Sequence, residues 1–279
     1  MFPYWSSEGV ETVGSHKSLY GLPVSAKLQE IYRRLLKLHR TNVDDVISLT
    51  PLEMLVLAIL SQRTTDPIAQ QAFENLRRMF PDWSALCDAP ISSIERAIHD
   101  TTWPDKKAKF LQRAFQHIRG WRRGALNLDH LFEMSDTDAS AWLDRLPGVG
   151  IKTSACVLLF STLRRAVLPV DTGHRRIMTR LGMLGPSISS DRAHPILQSL
   201  LPRDWTPREI EAFHNVIKKH AQTYCDAKQP RCAGCALRDL CRHAQTCFQP
   251  EHEEEKRHTA VKRRSSTQPN PLQMCMLYE

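Results

Sequence analysis

The chain has 279 residues, 42% of them hydrophobic, and carries a formal charge of +8. That length supports one large or two modest cores with room for a cleft, and the apolar share excludes a disordered polycation while the positive excess puts nucleic acid first among partners. No apolar run approaches the roughly 20 residues of a membrane span, and Met1–Val10 lacks a basic region leading into an apolar one, so a soluble intracellular protein (cytoplasm or nucleoid in a bacterium) is expected.

Residues 1–23 mix Gly, Ser and aromatics without a period and read as a loosely held arm, anchored if at all by Tyr4 and Trp5. From Ser25 to Arg40 the apolar residues Leu28, Ile31, Leu35, Leu36 and Leu38 recur at helical spacing. Further helices are expected over Pro51–Gln62, Asp66–Phe80, Ile91–Asp100 and Pro104 to about Arg119, the last opened by Pro and Asp in its first turn. After a break at Gly120–Asn127, a helix ending near Leu146 leads into Pro147-Gly148-Val149-Gly150, and Ile151–Leu163 resumes the apolar period. Helical patterns follow at Thr172–Leu184, Ser190–Leu201 and Pro207–Tyr224, and no alternating strand pattern appears. The fold class is therefore all-α, without internal repeats. From Pro250 onward Glu, Lys, Arg, Ser, Gln and Pro dominate, the composition of a tail with nothing to bury.

Two glycines flanking Val149, with Pro147 fixing the entry, permit positive-φ backbone and close approach of another molecule. Such a turn can aim bare amides at a phosphate from the start of the next helix; the plain alternative is that Gly148 and Gly150 only end one helix and begin another. Lys152 falls in the first turn of that next helix, where the helix terminus and partial burial favour a neutral, nucleophilic amine. Asp171 precedes a helical period at Thr172 and reads equally as an N-cap. Taken singly, a Lys beside a hairpin contacts phosphate and an Asp before a helix caps it.

Of eight cysteines, four cluster as Cys225, Cys232, Cys235 and Cys241, spaced C-x6-C-x2-C-x5-C, while Cys87, Cys156 and Cys275 are scattered and Cys247 lies six residues past the cluster. Clustering favours a metal site in a reducing compartment over disulfides. Four thiolates on a short loop can hold tetrahedral zinc or a [4Fe–4S] cluster, and the thiolate chemistry alone does not choose. Arg231, Arg238 and Arg242 stand among them to offset cluster charge.

Leu146-Pro-Gly-Val-Gly-Ile-Lys152-Thr153, then Val170-Asp171-Thr172, then the cysteine loop, with Leu60-Ser61-Gln62 and Thr65-Asp66 upstream, resembles the endonuclease III family of helix-hairpin-helix DNA glycosylases from about Leu22 to Cys241. The resemblance implies a two-lobed glycosylase fold: a helical barrel over 43–163, its hairpin at about 138–163, and a cluster lobe made of 22–42 with 164–247, leaving 248–279 as the tail. It implies a base-excision N-glycosylase with abasic-site lyase activity on oxidised pyrimidines in duplex DNA, with Lys152 as Schiff-base lysine and Asp171 as essential aspartate. It also assigns the four cysteines to [4Fe–4S], and Leu146, Gly148, Val149, Gly150 and Thr153 to the DNA backbone. Gln62-Arg63 and Thr102-Trp103-Pro104 map onto the two loops that fill the space left by a flipped nucleotide. Damaged or abasic double-stranded DNA is the expected partner and a monomer the default.

The sequence departs from that pattern in several places. One extra residue separates lysine and aspartate, Arg63 stands where Gln is common, and Trp103 replaces an aliphatic residue, reading equally as core. Gly173-His174 follows Thr172 where a bulky residue is usual; His174 reads as a pocket or phosphate contact, or as a helix-surface histidine. Ala58 occupies the place of the glutamate of adenine-mismatch glycosylases. The other readings are a monofunctional glycosylase for mismatched or alkylated bases using Asp-activated water, and a DNA-binding module without chemistry.

Overall fold

A computed structural model of the chain describes residues 24–40 and 49–247. The arm read over 1–23 and the tail read over 248–279 lie outside the described residues, as do 41–48. The chain forms α1 (Val24–His39), α2 (Pro51–Leu60), α3 (Asp66–Met79), α4 (Ile91–Ala97), α5 (Pro104–Trp121) and α6 (Asp136–Leu143). It continues with α7 (Ile151–Phe160), α8 (Thr172–Arg180), α9 (Ser190–Leu200), α10 (Pro207–Thr223) and α11 (Arg242–Cys247). Among the described residues there is no strand beyond an isolated bridge between Leu49 and Ser161.

Local chemistry starts these helices. Thr50 and Glu53 form a reciprocal capping box on α2, the Glu53 side chain accepting the Thr50 N–H at 2.9 Å, with Pro51 at the first helical position. Thr206, Pro207 and Glu209 repeat the device on α10. Their interiors differ from surface helices: eight of the ten α2 residues are buried, so α2 runs through the core rather than along it.

Two apolar cores result. The first gathers Leu55, Ile59, Phe73, Leu86, Phe115 and Leu158 from α2 to α7, and the second gathers Leu28, Ile31, Ile177, Phe213, Val216 and Ile217 from α1 and α8 to α11. The helix α7 belongs to both, with Leu158 in the first core and Leu159 in the second. Its N-terminal turn, which carries Lys152, is thereby fixed by both cores.

Several boundaries differ from the periodicity. The stretch before the hairpin splits into a 3-10 turn at Asp129–Glu133 and a short α6, because Ser135 caps a new start by accepting the Asp138 N–H at 3.1 Å. The helix expected to reach Leu184 ends at Arg180, where Gly182 turns the chain at φ +75°. A further 3-10 turn at Trp83–Cys87 and the short α11 carry too few residues to show a period.

Candidate catalytic cleft and nucleic-acid interface

In the hairpin, Gly148 adopts φ +78°, and a Cβ there would stand 2.5 Å from the Phe110 ring of α5. Glycine is required on both counts. Gly150 caps α7 in extended geometry and is exposed, with open space around it, and Ile151 beside it is 37% exposed. The Thr153 amide donates to Gly150 O at 2.8 Å, while the amides before it lie ahead of any intrahelical acceptor, which leaves donors at an exposed turn. Leu146 is 2% exposed and packs in the first core, and Thr153 is 4% exposed, so these side chains hold the hairpin in shape rather than face solvent. Val149 is half-buried, its N–H donating to Leu146 O at 3.1 Å.

Gln62 points inward to the same turn. Its amide donates to Gly148 O at 2.8 Å and Thr153 Oγ1 at 3.2 Å, which corrects its reading as a free wedge side chain: it braces the hairpin. Arg63 and Trp103 are the exposed pair, both at positive φ (51° and 55°), a strained conformation for side chains of this size. The Arg63 guanidinium lies over the Trp103 ring at 5.2 Å and the Lys106 ammonium at 5.4 Å. Trp103 is 48% exposed, so the core reading of this residue is discarded.

The two loops are tied together. Thr102 Oγ1 donates to Arg63 O at 2.8 Å, the Thr102 N–H to Thr64 Oγ1 at 3.1 Å, and buried Lys107 donates to Leu60 O (2.6 Å) and Thr64 Oγ1 (2.7 Å). Burial pushes the Lys107 pKa down to about 8.

Lys152 is half-buried in the first turn of α7, and its ammonium is held above the usual lysine value. Cys156, one turn on, is the largest cause; burial opposes it, and Asp171 and Asp66 add to it. These neighbours work against the neutral amine that the helix terminus and desolvation favour. Asp171 caps α8, accepting the His174 N–H at 2.7 Å. Burial alone would raise its pKa, but the hydrogen bonds from His174 bring it well below the usual carboxylate range.

His174 is neither a surface histidine nor a phosphate contact. Its ring is fully buried, 3.1 Å from Asp171 Oδ1 and stacked on His214 at 4.7 Å. His214 and Cys156 were not singled out in the sequence, and neither was the Lys218–Asp66 ion pair (2.6 Å) that joins α10 to the start of α3. Nothing in the pattern marks them, since His214 and Lys218 sit in an ordinary amphipathic helix and Cys156 in a helix buried on all sides.

The four clustered cysteines are free thiols lining one cavity of about 370 Å³, part of it open to solvent, together with His220 and Arg180. Arg180 donates to Cys225 Sγ at 3.1 Å and the Leu237 N–H to Cys235 Sγ at 3.4 Å, contacts that suit thiolate sulfur. Among the described residues no group of side chains is closed to metal-binding distance, and burial pushes Cys235 up to about 11. The donor set and the cavity nonetheless fit a soft-metal group, whose binding would take the place of the thiol protons. Cys247 does not line the cavity; its sulfur is 3.6 Å from His243.

An all-helical fold with two cores, a glycine hairpin opening the helix that carries a lysine, and a capping aspartate facing it, defines the class of helix-hairpin-helix DNA-repair enzymes. Residues 56–203 match the HhH-GPD superfamily of base excision DNA repair proteins, and the chain belongs to that superfamily. Endonuclease III of Synechocystis is 32% identical over 70% of this chain and 83% of its own. An Arabidopsis thaliana protein described as a DNA glycosylase is 33% identical over 54% of this chain, which spans about half (51%) of that protein's length. A solved structure described as a trapped endonuclease III–DNA covalent intermediate shares the fold, with TM-score 0.67 at 20% identity, over 81% of this chain and 99% of that one. The protein is thus an endonuclease III-like DNA glycosylase. No described helix is long and apolar enough to cross a membrane.

Proposed function

We propose that the protein is a bifunctional glycosylase and abasic-site lyase acting on oxidised pyrimidines in duplex DNA. The observation that carries this reading is that Lys152, in the first turn of α7, lies within the field of Asp171, the cap of α8. Lys152, once deprotonated, attacks C1′ as the base departs and forms an imine to the opened sugar; loss of a C2′ proton then expels the 3′ phosphate by β-elimination. Asp171, ionised and partly exposed, stabilises the positive charge that develops at the sugar. The hairpin amides grip the backbone, and Arg63 and Trp103 fill the vacated space, the guanidinium facing the orphaned base and the indole stacking.

The same arrangement supports a division into a barrel lobe over 43–163 and a second lobe made of 22–42 with 164–247. In the second lobe Cys225, Cys232, Cys235 and Cys241 would hold a [4Fe–4S] cluster. That group supplies a covalent tie among four points of the chain and no step of the reaction. A monomer suffices, since one chain contributes every group named.

The test is borohydride trapping on end-labelled duplexes carrying thymine glycol, uracil or an abasic site, with wild type and Lys152→Ala. A covalent adduct that requires Lys152 and forms on the thymine glycol duplex is the expected result. Base release without an adduct favours the second reading, a monofunctional enzyme in which Asp171, partly exposed, activates water. Binding without base release from any duplex would leave a non-catalytic binder.

A further inference from the structure

Asp171 Oδ1 accepts two hydrogen bonds from a single residue, the backbone N–H of His174 at 2.7 Å and its ring Nδ1–H at 3.1 Å. Oδ2 has no protein partner among the described residues, and the side chain keeps 27% of its exposure. An N-cap needs only the first of these bonds. The second stops the carboxylate rotating, and it depends on a ring that is itself immobilised. His174 is fully buried, stacked at 4.7 Å and 18° on His214 and edge-on to Phe213 at 6.4 Å.

His214 is fixed in turn. Its Nδ1 lies 3.0 Å from Pro169 O, an acceptor that only an N–H can satisfy, so α10 holds both the segment leading into Asp171 and the ring behind it. The Nε2 of His174 is buried with no partner. A protonated ring would leave an N–H unsatisfied there, so the neutral Nδ1–H form is the one that fits. Gly173 completes the arrangement: a Cβ at that position would stand 3.0 Å from Asp171 Oδ1 and 2.8 Å from Ala221 Cβ. Any side chain at 173 would press on the oxygen that His174 engages.

We propose that His174 is a positioning residue for Asp171, its buried ring locking one carboxylate oxygen so that the other is held free for the reacting sugar, with His214 as the backstop. This rests on the reading of Asp171 given above. The charged and titratable groups facing the pair are Lys152 from α7, His214 and Lys218 from α10, His194 from α9 and Asp66 from α3. None of these bonds directly to the carboxylate; among the described residues His174 does.

The test is single-turnover base release from a thymine glycol duplex by the full chain across pH, comparing wild type with His174→Leu, His174→Asn and Asp171→Asn. Leucine keeps apolar volume without the donor; the asparagine amide can restore an N–H near the place of Nδ1. His174→Leu is expected to lose about 10- to 100-fold in rate, the scale of a displaced catalytic group, with unchanged affinity for an abasic duplex. Its acid limb should move to higher pH, because a carboxylate that loses the ring hydrogen bond protonates more readily, and His174→Asn should recover most of the loss.

Equal rates for the Leu and Asn variants, or an unmoved acid limb, overturn the proposal. An inactive Asp171→Asn beside a fully active His174→Leu sinks the positioning role alone, whereas a fully active Asp171→Asn sinks the reading of Asp171 with it. Should His174→Leu not fold, the ring nitrogen shifts of the 15N-histidine-labelled wild type decide: Nδ1–H supports the lock and Nε2–H refutes it.

Discussion

The two cores are built on different principles. The first is almost wholly apolar, from Leu49 to Leu163, with Lys107 its one buried cation. The second packs apolar residues around five buried histidines, His39, His174, His194, His214 and His220, and closes on a cavity lined by thiols. An apolar core is stabilised by burial alone, while a polar interior is stable only when each partner is in place. The first core can therefore serve as the rigid mount for the hairpin, and the second can hold a caged aspartate whose ionisation depends on neighbours.

The comparison breaks most sharply at the cysteines. Cys232→Ser should abolish iron binding and strip hydrogen-exchange protection from α8, α10 and α11 while α2 and α5 stay protected. Uniform loss across both cores would show that they do not differ as argued. The converse change, Leu55→Ala, creates a cavity in a fully buried site and should cost about 2–5 kcal/mol in global stability with iron content unchanged.

Gly148→Ala comes next. It meets both a positive φ and the Phe110 ring, so it should weaken duplex binding and lower stability by about 1–3 kcal/mol, on the scale of overpacking. A calorimetric melt and a binding titration at fixed salt read the two effects separately; wild-type values in both would mean that the hairpin is not held against α5 as drawn.

Acid should also separate the cores. Burial holds His214 well below the ordinary 6.5, and burial likewise lowers His194. Groups that are neutral when folded and free to protonate when unfolded draw protons to the unfolded state, so stability is full above about pH 6.5 and falls as pH drops below it. Amides of α8 and α10 should lose protection before those of α2 over that fall. Half-buried His130 contributes in the same sense to the first core, which sets the baseline to subtract.

Much of this was legible in the sequence, for identifiable reasons. Helices as apolar as α2 or as regular as α1 announce themselves by period, and the hairpin does so because few residues other than glycine tolerate the Gly148 backbone. Trp103 left a wedge and a core reading open because an indole counts as apolar, although strained backbone here presents it to solvent. His174 misled because the run Gly-His-Arg-Arg reads as a polar surface, and only the fold shows that its ring turns under Asp171. The influence of Cys156 on Lys152 had no signal, since a cysteine a turn away reads as a small hydrophobe. Gln62 could not have been recognised as a brace, because its acceptors lie 86 and 91 residues away.

The smallest effect is expected at the joint between the cores. Lys218 reaches Asp66 at 2.6 Å, but the two side chains keep 32% and 66% of their exposure, so water screens the pair. Exposed pairs of this kind contribute about 0–1 kcal/mol. Lys218→Ala should therefore lower stability by less than that, and the difference should vanish near about 1 M salt, where the Debye length is about 3 Å. A larger loss, or one that survives salt, would mean that the cores are coupled through this contact rather than through α7. In that case the Lys218 charge would also help to set the cleft that Lys152 and Asp171 share, and the change should shift the pH dependence of adduct formation. With α7 as the only stiff connection, adduct formation should instead rise with pH in both proteins alike, as Lys152 gives up its proton.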